Sequence, residues 1–452
     1  MLRRRPGNDL TRNRNFTIFW AGQTLSFIGD AFSIVAIPLL ILQVTGSLTQ
    51  MGVVTALYGV GSLVAGIAAG PIVDRFDRRK LMIRCDLGRA ILYALVPVGW
   101  WLLGPQLWLV YVVAVLGSAL AMLFGVAYIT AVSNLVDRDQ IVDANGRLQA
   151  SYALAFILGP FLAGVISAQF GSALAIGLDG LTFLASALSL SFVRLRRASA
   201  ERAPGERGST MEEFLAGVRF LFGSPLFRWL TILIGALAFV STGVTDLMIF
   251  YLKEDLGQTD GTVGLVFGIA SLGTMLSGLL TPRLRRSRGF GFCLIGGFVL
   301  EGIALILLGF SAATLLIAGI WAIAGFGSST RGIVSMTLRQ ELTPDHLLGR
   351  VTAAYWTVFS VPGPIGALAL TAFGARVGAR EALLTVGIFI LLVAVVALFT
   401  PVRAFAPRLE PDDLAVSPNC LPIRARVDSQ QGPRSADSRA AGQERRHGVF
   451  SL

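Results

Sequence analysis

Side chains that carry enzyme or metal chemistry are scarce in this sequence. Its 452 residues include only three cysteines and two histidines. The cysteines, at positions 85, 293 and 420, show neither disulfide nor zinc spacing. His346 falls in a predicted loop and His447 near the C-terminus, and the sequence has no glycine-rich nucleotide-binding loop. We therefore predict no enzyme activity, no metal site and no cofactor.

Charged residues are scarce as well. Only 14% of the residues are charged, 54% are hydrophobic, and the mean hydropathy is +0.70. A soluble fold cannot bury that much apolar surface, so the composition predicts an integral membrane protein. The long runs are apolar on every side, whereas the strands of a membrane barrel would alternate at period two. The predicted fold class is therefore all-α and membrane-spanning.

The apolar runs are long enough for about twelve membrane crossings of about 20 residues each. A Gly-Pro pair at 104–105 separates two of them cleanly. The predicted spans are 16–43, 51–73, 81–103, 107–131, 149–170, 172–194, 226–252, 262–282, 289–310, 312–335, 351–374 and 377–400.

The positive charge follows membrane topology. The net charge is +11, and most Arg residues lie in alternate loops, whereas the opposite loops hold only Lys253, Arg376 and Arg380. By the positive-inside rule, both termini are predicted to be cytoplasmic in a multi-pass protein of the plasma (inner) membrane. Basic and aromatic residues do not alternate as they would along a nucleic-acid groove, so no nucleic-acid partner is predicted.

Composition also predicts the domain layout. An amphipathic stretch between the sixth and seventh spans indicates an interfacial helix, and the polar composition after Pro401 is typical of disorder. We predict a cytoplasmic segment at 1–15, a six-helix bundle at 16–195, a linker at 196–225, a second bundle at 226–402 and a disordered cytoplasmic tail at 403–452.

The two predicted bundles share an internal repeat. Arg147 and Arg350 precede corresponding spans at a separation of 203 residues, and Gly159-Pro160 and Gly363-Pro364 repeat at 204. The charged loop 70–80 corresponds to residues 281–286 in the second repeat, at a separation of 211 residues. The second copy keeps the basic residues of the loop but has no acidic ones. Such a parallel duplication predicts two halves related by an axis along the membrane normal.

The charged loop carries a family resemblance. Its residues resemble the loop between helices 2 and 3 of the major facilitator superfamily, with the usual pattern G-x-x-x-D-R-x-G-R-R-K/R; the matching positions are Gly70, Asp74, Arg75, Arg78, Arg79 and Lys80. The resemblance covers about residues 10–402. It implies a twelve-helix secondary transporter made of two pseudo-symmetric six-helix bundles.

One departure from the pattern points to a particular branch of the superfamily: Asp77 stands where the pattern has glycine. With Gly22-Gln23, Gly29-Asp30 and residues 348–351, the loop is similar to a bacterial branch that includes macrolide-efflux-like and siderophore-export-like proteins. The fourth span lacks the Arg that better-known multidrug antiporters carry there. The resemblance therefore implies an exporter and leaves the cargo open.

The resemblance also implies a role for the loop. In the family, the acidic residue meets the start of helix 11, here the region from Arg350 to Ala353, in the outward-open state only. Asp74 and its neighbours would thus form a cytoplasmic latch. The alternative is that the basic cluster is only a topology signal.

Four carboxylates fall inside predicted spans: Asp30, Asp179, Asp246 and Glu301. Exposure to lipid would cost each about 2.5–3.5 kcal/mol, so they should face the protein or a watery cavity. They are candidate proton carriers, with Asp30 favoured because Gln23 lies near its face; the alternative is a structural carboxylate bonded to a neighbouring helix. The alternatives for Arg331 are an anion contact, a gate partner and a snorkelling residue, and the last is favoured.

Shorter signals complete the pattern. We expect Asp86 and Arg89, three residues apart, to pair with each other. Gly159, Pro160 and Gly164 resemble a shortened antiporter motif, and with Gly363 and Pro364 they predict close helix contacts and bends suited to a rocking interface.

The sequence thus predicts a monomeric exporter of small amphiphilic molecules, such as drugs or natural products, driven by proton antiport and rocking of the two halves in the lipid bilayer. A siderophore or metabolite exporter is the alternative within transport. A membrane sensor or scaffold that does not transport is the alternative of another class.

Overall fold

The computed structural model describes residue 10 and residues 13–137, 140–194 and 210–406. Several side chains within those ranges lie outside the description, among them Gly70, Asp74, Asp345, His346 and Ala353. Most of the predicted N-terminal segment, the first part of the linker and the tail after residue 406 also lie outside it.

Regular structure in the described ranges is helical. The α-helices are α1 Arg14–Thr45, α2 Leu48–Arg75, α3 Arg78–Leu103, α4 Leu107–Ser133, α5 Ile141–Phe170, α6 Ser172–Phe192, α7 Thr210–Gly223, α8 Pro225–Ser241, α9 Val244–Phe250, α10 Asp260–Gly309, α11 Thr314–Leu342, α12 Asp345–Ser360, α13 Pro362–Val377 and α14 Ala379–Leu398.

Helix covers the position of every predicted span. The span predicted at 226–252 consists of α8 and α9, followed by a π-helical turn at Tyr251–Asp255. The spans predicted at 262–282 and 289–310 lie within α10, which breaks at Gly289, where φ is 83°. Nine stretches of the described residues are long and apolar enough to cross a membrane, and one of these is the whole of α10.

Local sequence explains the break between α2 and α3. The Asp77 side chain accepts a hydrogen bond from the Lys80 amide at 2.9 Å and so caps the first turn of α3. An N-terminal carboxylate also interacts favourably with the helix dipole. Asp77 departs from the family pattern, and its role as the N-terminal cap of α3 explains why an aspartate suits this position.

The N-terminal half (α1–α6) and the C-terminal half (α8–α14) meet through small residues. At Gly164 of α5, an added Cβ would lie 2.6 Å from the Cα atom of Gly264 of α10, so the two backbones touch. Gly59 of α2 leaves similarly little room beside Pro364 of α13. Small residues at such positions let helices approach closely without a large side chain between them.

These contacts share one end of the helix bundle. They involve the first half of α2, the second half of α5, the start of α10 and the start of α13, which follows α12 in the same span. Because consecutive spanning helices alternate in direction, these segments lie at the end that holds the loops after α1, α3 and α5. We call this the outer end and the opposite one the inner end.

The glycine contact can be tested with a pair of alanine substitutions. Gly164→Ala should lower the thermal unfolding temperature of the purified protein, since the new methyl group meets backbone atoms, and overpacking costs about 1–3 kcal/mol. Gly125→Ala in α4 is the control, because an added Cβ there has open space. If both variants unfolded at the same temperature, the close α5–α10 contact would be contradicted.

Candidate functional site

The N-terminal half contains a buried polar cluster between α1, α3 and α6. Its centre is an ion pair between Arg89 of α3 and Asp30 of α1, with Arg89 also stacked 3.7 Å from the ring centre of Phe183. The Arg89 side chain is 3% exposed, whereas that of Asp30 is 37% exposed. The prediction that Arg89 would pair with Asp86 is wrong, because helix packing places Asp30 against it.

Asp179 of α6 forms the second part of the cluster. It is fully buried, accepts a hydrogen bond from the Ser33 hydroxyl of α1, and lies 3.2 Å from the Thr182 hydroxyl. At Gly29, α1 runs so close to this site that an added Cβ would meet Asp179 and Thr182. The sequence therefore holds a carboxylate tightly between two helices with hydroxyl groups as partners.

A third acid, Asp86 of α3, is also fully buried, and neither of its carboxyl oxygens has a hydrogen-bond partner among the described residues. Nearby, the Gln23 side-chain amide donates to the Ser186 hydroxyl at 3.0 Å. The cluster thus combines three carboxyl groups with one guanidinium. Full ionisation would leave it with net negative charge in a poorly hydrated region, which favours uptake of a proton or another cation.

Aromatic rings line the neighbouring surface of α1, α4 and α5. Phe27, one helical turn from Asp30, lies 6.3 Å from Tyr128 and 5.4 Å from Tyr152, centre to centre. Tyr152 in turn lies 4.4 Å from Phe156. The half-exposed carboxylate of Asp30 therefore adjoins an aromatic wall.

In the C-terminal half, Glu301 and Arg331 form a separate buried ion pair within α10 and α11. Arg331 Nη2 lies 2.7 Å from Glu301 Oε2 and 3.0 Å from the Ser328 hydroxyl, and both charged side chains are 9% exposed. The interpretation of Arg331 as a snorkelling residue is wrong, since its guanidinium is enclosed. Glu301 does not join the N-terminal cluster.

Asp246 lies at the outer end, where the halves meet. It is 1% exposed and accepts a hydrogen bond from the Thr55 hydroxyl of α2 at 2.7 Å. A second polar contact joins the halves nearby, from the Gln43 amide of α1 to Asp260 of α10 at 2.7 Å. Lys253 pairs with Asp260 at 2.6 Å. Hydrogen bonds thus close the outer end.

The charged loop makes contacts within its own half. Arg79 Nε donates to the Leu190 carbonyl at 2.7 Å, and its guanidinium also binds the Ser191 carbonyl, so it satisfies the last turn of α6. A cation there also complements the helix dipole. Arg75 and Lys80 are exposed and Arg78 is partly exposed. The surroundings of Gly70 and the side chain of Asp74 lie outside the description.

The repeat copy of this loop is fixed differently. Arg285 forms a two-pronged ion pair with Glu341 of α11, in which Nη1 lies 2.8 Å from Oε1. Glu341 lies beyond the predicted span, and the hydrogen bond from Arg285 lowers the pKa of its carboxyl group. This copy of the loop has no acidic residue of its own, and Glu341 of α11 supplies the negative charge that pairs with Arg285.

The predicted bend residues occupy two kinds of position. Pro160 lies inside α5, and Gly159 beside it packs against Ala31 of α1 with no room for a Cβ. Gly363 and Pro364 lie in the first turn of α13, just after α12 ends at Ser360.

Arg350, the predicted partner of the charged loop, is exposed in α12, and its backbone touches α7 at Gly217.

Of the five predicted cavity residues, the fold brings three together. Gln23, Asp30 and Asp179 share the N-terminal cluster, whereas Asp246 and Glu301 occupy separate sites. Sequence reasoning missed Arg89 as the partner of Asp30 and Thr55 as the partner of Asp246. Both partners lie on a different helix from the acid, so no spacing along the chain indicates them.

The described helices form a bundle whose two halves meet through glycine contacts and enclose buried ion pairs, as expected of a multi-pass membrane protein. The family model of the Major Facilitator Superfamily matches residues 19–367 and 236–427. The chain belongs to this superfamily, and it is a multi-pass membrane transporter.

Individual relatives support the assignment. The chain is 28% identical over 399 residues to "Multidrug efflux pump Tap" of Mycolicibacterium fortuitum, across 86% of this chain and 95% of that protein. It is 26% identical over 402 residues to "Enterobactin exporter EntS" of Shigella boydii, across 84% and 92%. A bacterial homologue of the lysosomal transporter Spinster shares the fold, with a TM-score of 0.70 at 14% identity, covering 90% of this chain and 100% of that one.

A double-mutant cycle tests the energetic coupling in the cluster. Arg89→Gln should destabilise the purified protein by about 3 kcal/mol, because it leaves buried carboxyl groups without their cation. Asp30→Asn should cost less, and the double variant should be more stable than the sum predicts, by about 1 kcal/mol in denaturant unfolding. Strictly additive effects would contradict the ion pair.

Proposed function

We propose that this protein exports small amphiphilic molecules, such as drugs or natural products, by exchange with protons. The observation that carries the proposal is the N-terminal cluster, where three carboxyl groups surround one buried arginine in a chain of the superfamily. The printed names of two relatives, a multidrug efflux pump and a siderophore exporter, support export as the direction.

Asp30 is the proposed point of exchange. Its side chain is 37% exposed, whereas Asp179 and Asp246 are buried, so water and cargo have access to Asp30 first. Protonation would neutralise the carboxylate and weaken its attraction to Arg89. Arg89 would then be balanced by the neighbouring acids, Asp86 and Asp179, so one proton changes the charge arrangement across α1, α3 and α6. Gln23 orients Ser186 in the same network.

The aromatic wall beside Asp30 supplies the proposed cargo surface. Rings of Phe27, Tyr128 and Tyr152 offer apolar and π contacts, and the adjacent carboxylate attracts a cationic or hydrogen-bonding group. Cargo and proton would then compete for the same acid, which is the simplest basis for exchange.

Alternating access is proposed to use the two ends in turn. The hydrogen bonds of Asp246 and Asp260 and the glycine contacts close the outer end in this conformation. When the outer end opens, the proposed latch closes the inner end: Asp74 and the basic residues Arg75, Arg78 and Lys80 meet α12 near Arg350.

Glu301 is assigned a structural role with Arg331. The protein is proposed to act as a monomer with cytoplasmic termini.

Siderophore or metabolite export is the second candidate, favoured by the similarity to the enterobactin exporter. A sensor or scaffold with this fold is the remaining alternative. The buried acids argue against it, since they are costly to insert and serve a protein that cycles. Accumulation assays with both drugs and siderophores distinguish the three.

The role of Asp30 is tested by proton-coupled transport into inverted vesicles. Asp30→Asn should reduce the uptake of cargo driven by a pH gradient at least about tenfold. A tenfold loss corresponds to about 1.4 kcal/mol of coupling free energy. Asp255→Asn, an exposed acid in the turn after α9, is the control and should transport normally. Normal gradient-driven uptake by Asp30→Asn would remove Asp30 from the mechanism.

The latch has its own test. Asp74→Asn should slow transport while the amount of protein in the membrane stays unchanged, because the amide keeps the shape of the side chain but loses the charge that attracts the start of α12. Asp77→Asn is the matched control, since asparagine also caps helices and should preserve transport. Unimpaired transport by Asp74→Asn would exclude the latch.

A further inference from the structure

The chain that follows the last helix crosses the start of the second part of α10. This segment, residues 400–406, is called the strap. The amide of Phe290 donates to the Phe405 carbonyl at 2.8 Å, and that of Gly291 donates to the Ala404 carbonyl at 3.0 Å. Side chains at Gly289 and Gly291 would collide with the strap, so the glycines permit it to lie there.

The strap closes one side of a cavity of about 590 Å³ at the inner end of the C-terminal half. The other walls come from the middle of α10 and the end of α11. The charged and aromatic part of the lining consists of two cations, one acid and two aromatic rings: Arg285, Arg286, Glu341, Phe290 and Phe405.

The electrostatic character of this cavity is positive. Arg285 is balanced by Glu341 through their ion pair, which also fixes the loop against α11. Arg286 is exposed, and only its Nε is engaged in a described hydrogen bond, to the Pro282 carbonyl at 3.1 Å. Arg283 and Arg288 flank it, and residues 281–288 contain no acid. The mouth of the cavity therefore attracts an anion.

The surroundings indicate that the anion has an apolar part. Phe405, in the wall, is 62% exposed, and Leu279 and Phe399 nearby along the chain are 62% and 82% exposed. Phe292 is exposed as well and lies 5.4 Å below the Arg288 guanidinium. Large exposed apolar groups beside cations are typical of the boundary between lipid headgroups and acyl chains.

We propose that this cavity binds the headgroup of an anionic phospholipid from the inner leaflet, with Arg286 as the main phosphate contact and Phe405 against the glycerol and upper acyl region. Basic pockets between helices on the cytoplasmic side bind such headgroups in other membrane proteins. The proposal rests on the proposed orientation of the chain but not on proton-coupled export. A transport-inactive chain would still bind the lipid.

The test uses the purified, delipidated full-length protein and native mass spectrometry with three probes: phosphatidylglycerol, phosphatidylcholine and glycerol 3-phosphate. The unchanged protein should retain phosphatidylglycerol in preference to phosphatidylcholine. Arg286→Gln should weaken phosphatidylglycerol binding about fivefold, as expected for one cation near an anionic lipid surface, and Arg286→Lys should preserve it.

The control is Arg376→Gln, which removes an exposed arginine at the outer end of α13 and should leave binding unchanged. Thermal unfolding without lipid verifies that each variant is folded. Equal binding by Arg286→Gln and the unchanged protein would overturn the proposal. Displacement of phosphatidylglycerol by glycerol 3-phosphate at similar concentration would also overturn it, by identifying a site for soluble anions.

Discussion

The cost of burying ionisable side chains among membrane helices organises this structure. Arg89 is enclosed by α1, α3 and α6, and it is tolerable there because Asp30 pairs with it and Phe183 stacks on it. Its neighbours Asp86 and Asp179 bring two more carboxyl groups to the same place, so one guanidinium lies among three carboxyl groups. The charge of such a site depends on how many protons it holds, and this dependence is the basis of the proposed coupling.

Each half solves this problem with its own acid–arginine ion pair. In the N-terminal half, α1 supplies the acid and α3 the arginine, whereas in the C-terminal half α10 supplies Glu301 and α11 supplies Arg331. The second pair is enclosed, while Asp30 is accessible. The repeated loops diverge similarly, since Arg285 binds Glu341. The repeated halves thus share helices but differ in the exposure of their buried ion pairs, and we propose that only the N-terminal pair takes part in exchange.

Helix positions and the family were predictable from the sequence because apolar length and a charged loop are local features. The cap at Asp77 was also readable, since an acid directly before a helix is a capping signal. The pairing of Arg89 with Asp30 was not, because 59 residues separate them and the contact depends on how α1 and α3 pack. Asp86, closer along the chain, was therefore chosen wrongly.

Rocking of the halves is the central claim, and spin-label distances measure it directly. One label pair at Thr45 and Glu254 reports the outer end, and another at Phe76 and Arg283 reports the inner end. Between acidic and alkaline buffer, the account predicts reciprocal changes, so that the outer distance lengthens as the inner distance shortens, with Asp74→Asn suppressing the short inner distance. Distances that stayed fixed, or that lengthened together at both ends, would contradict it.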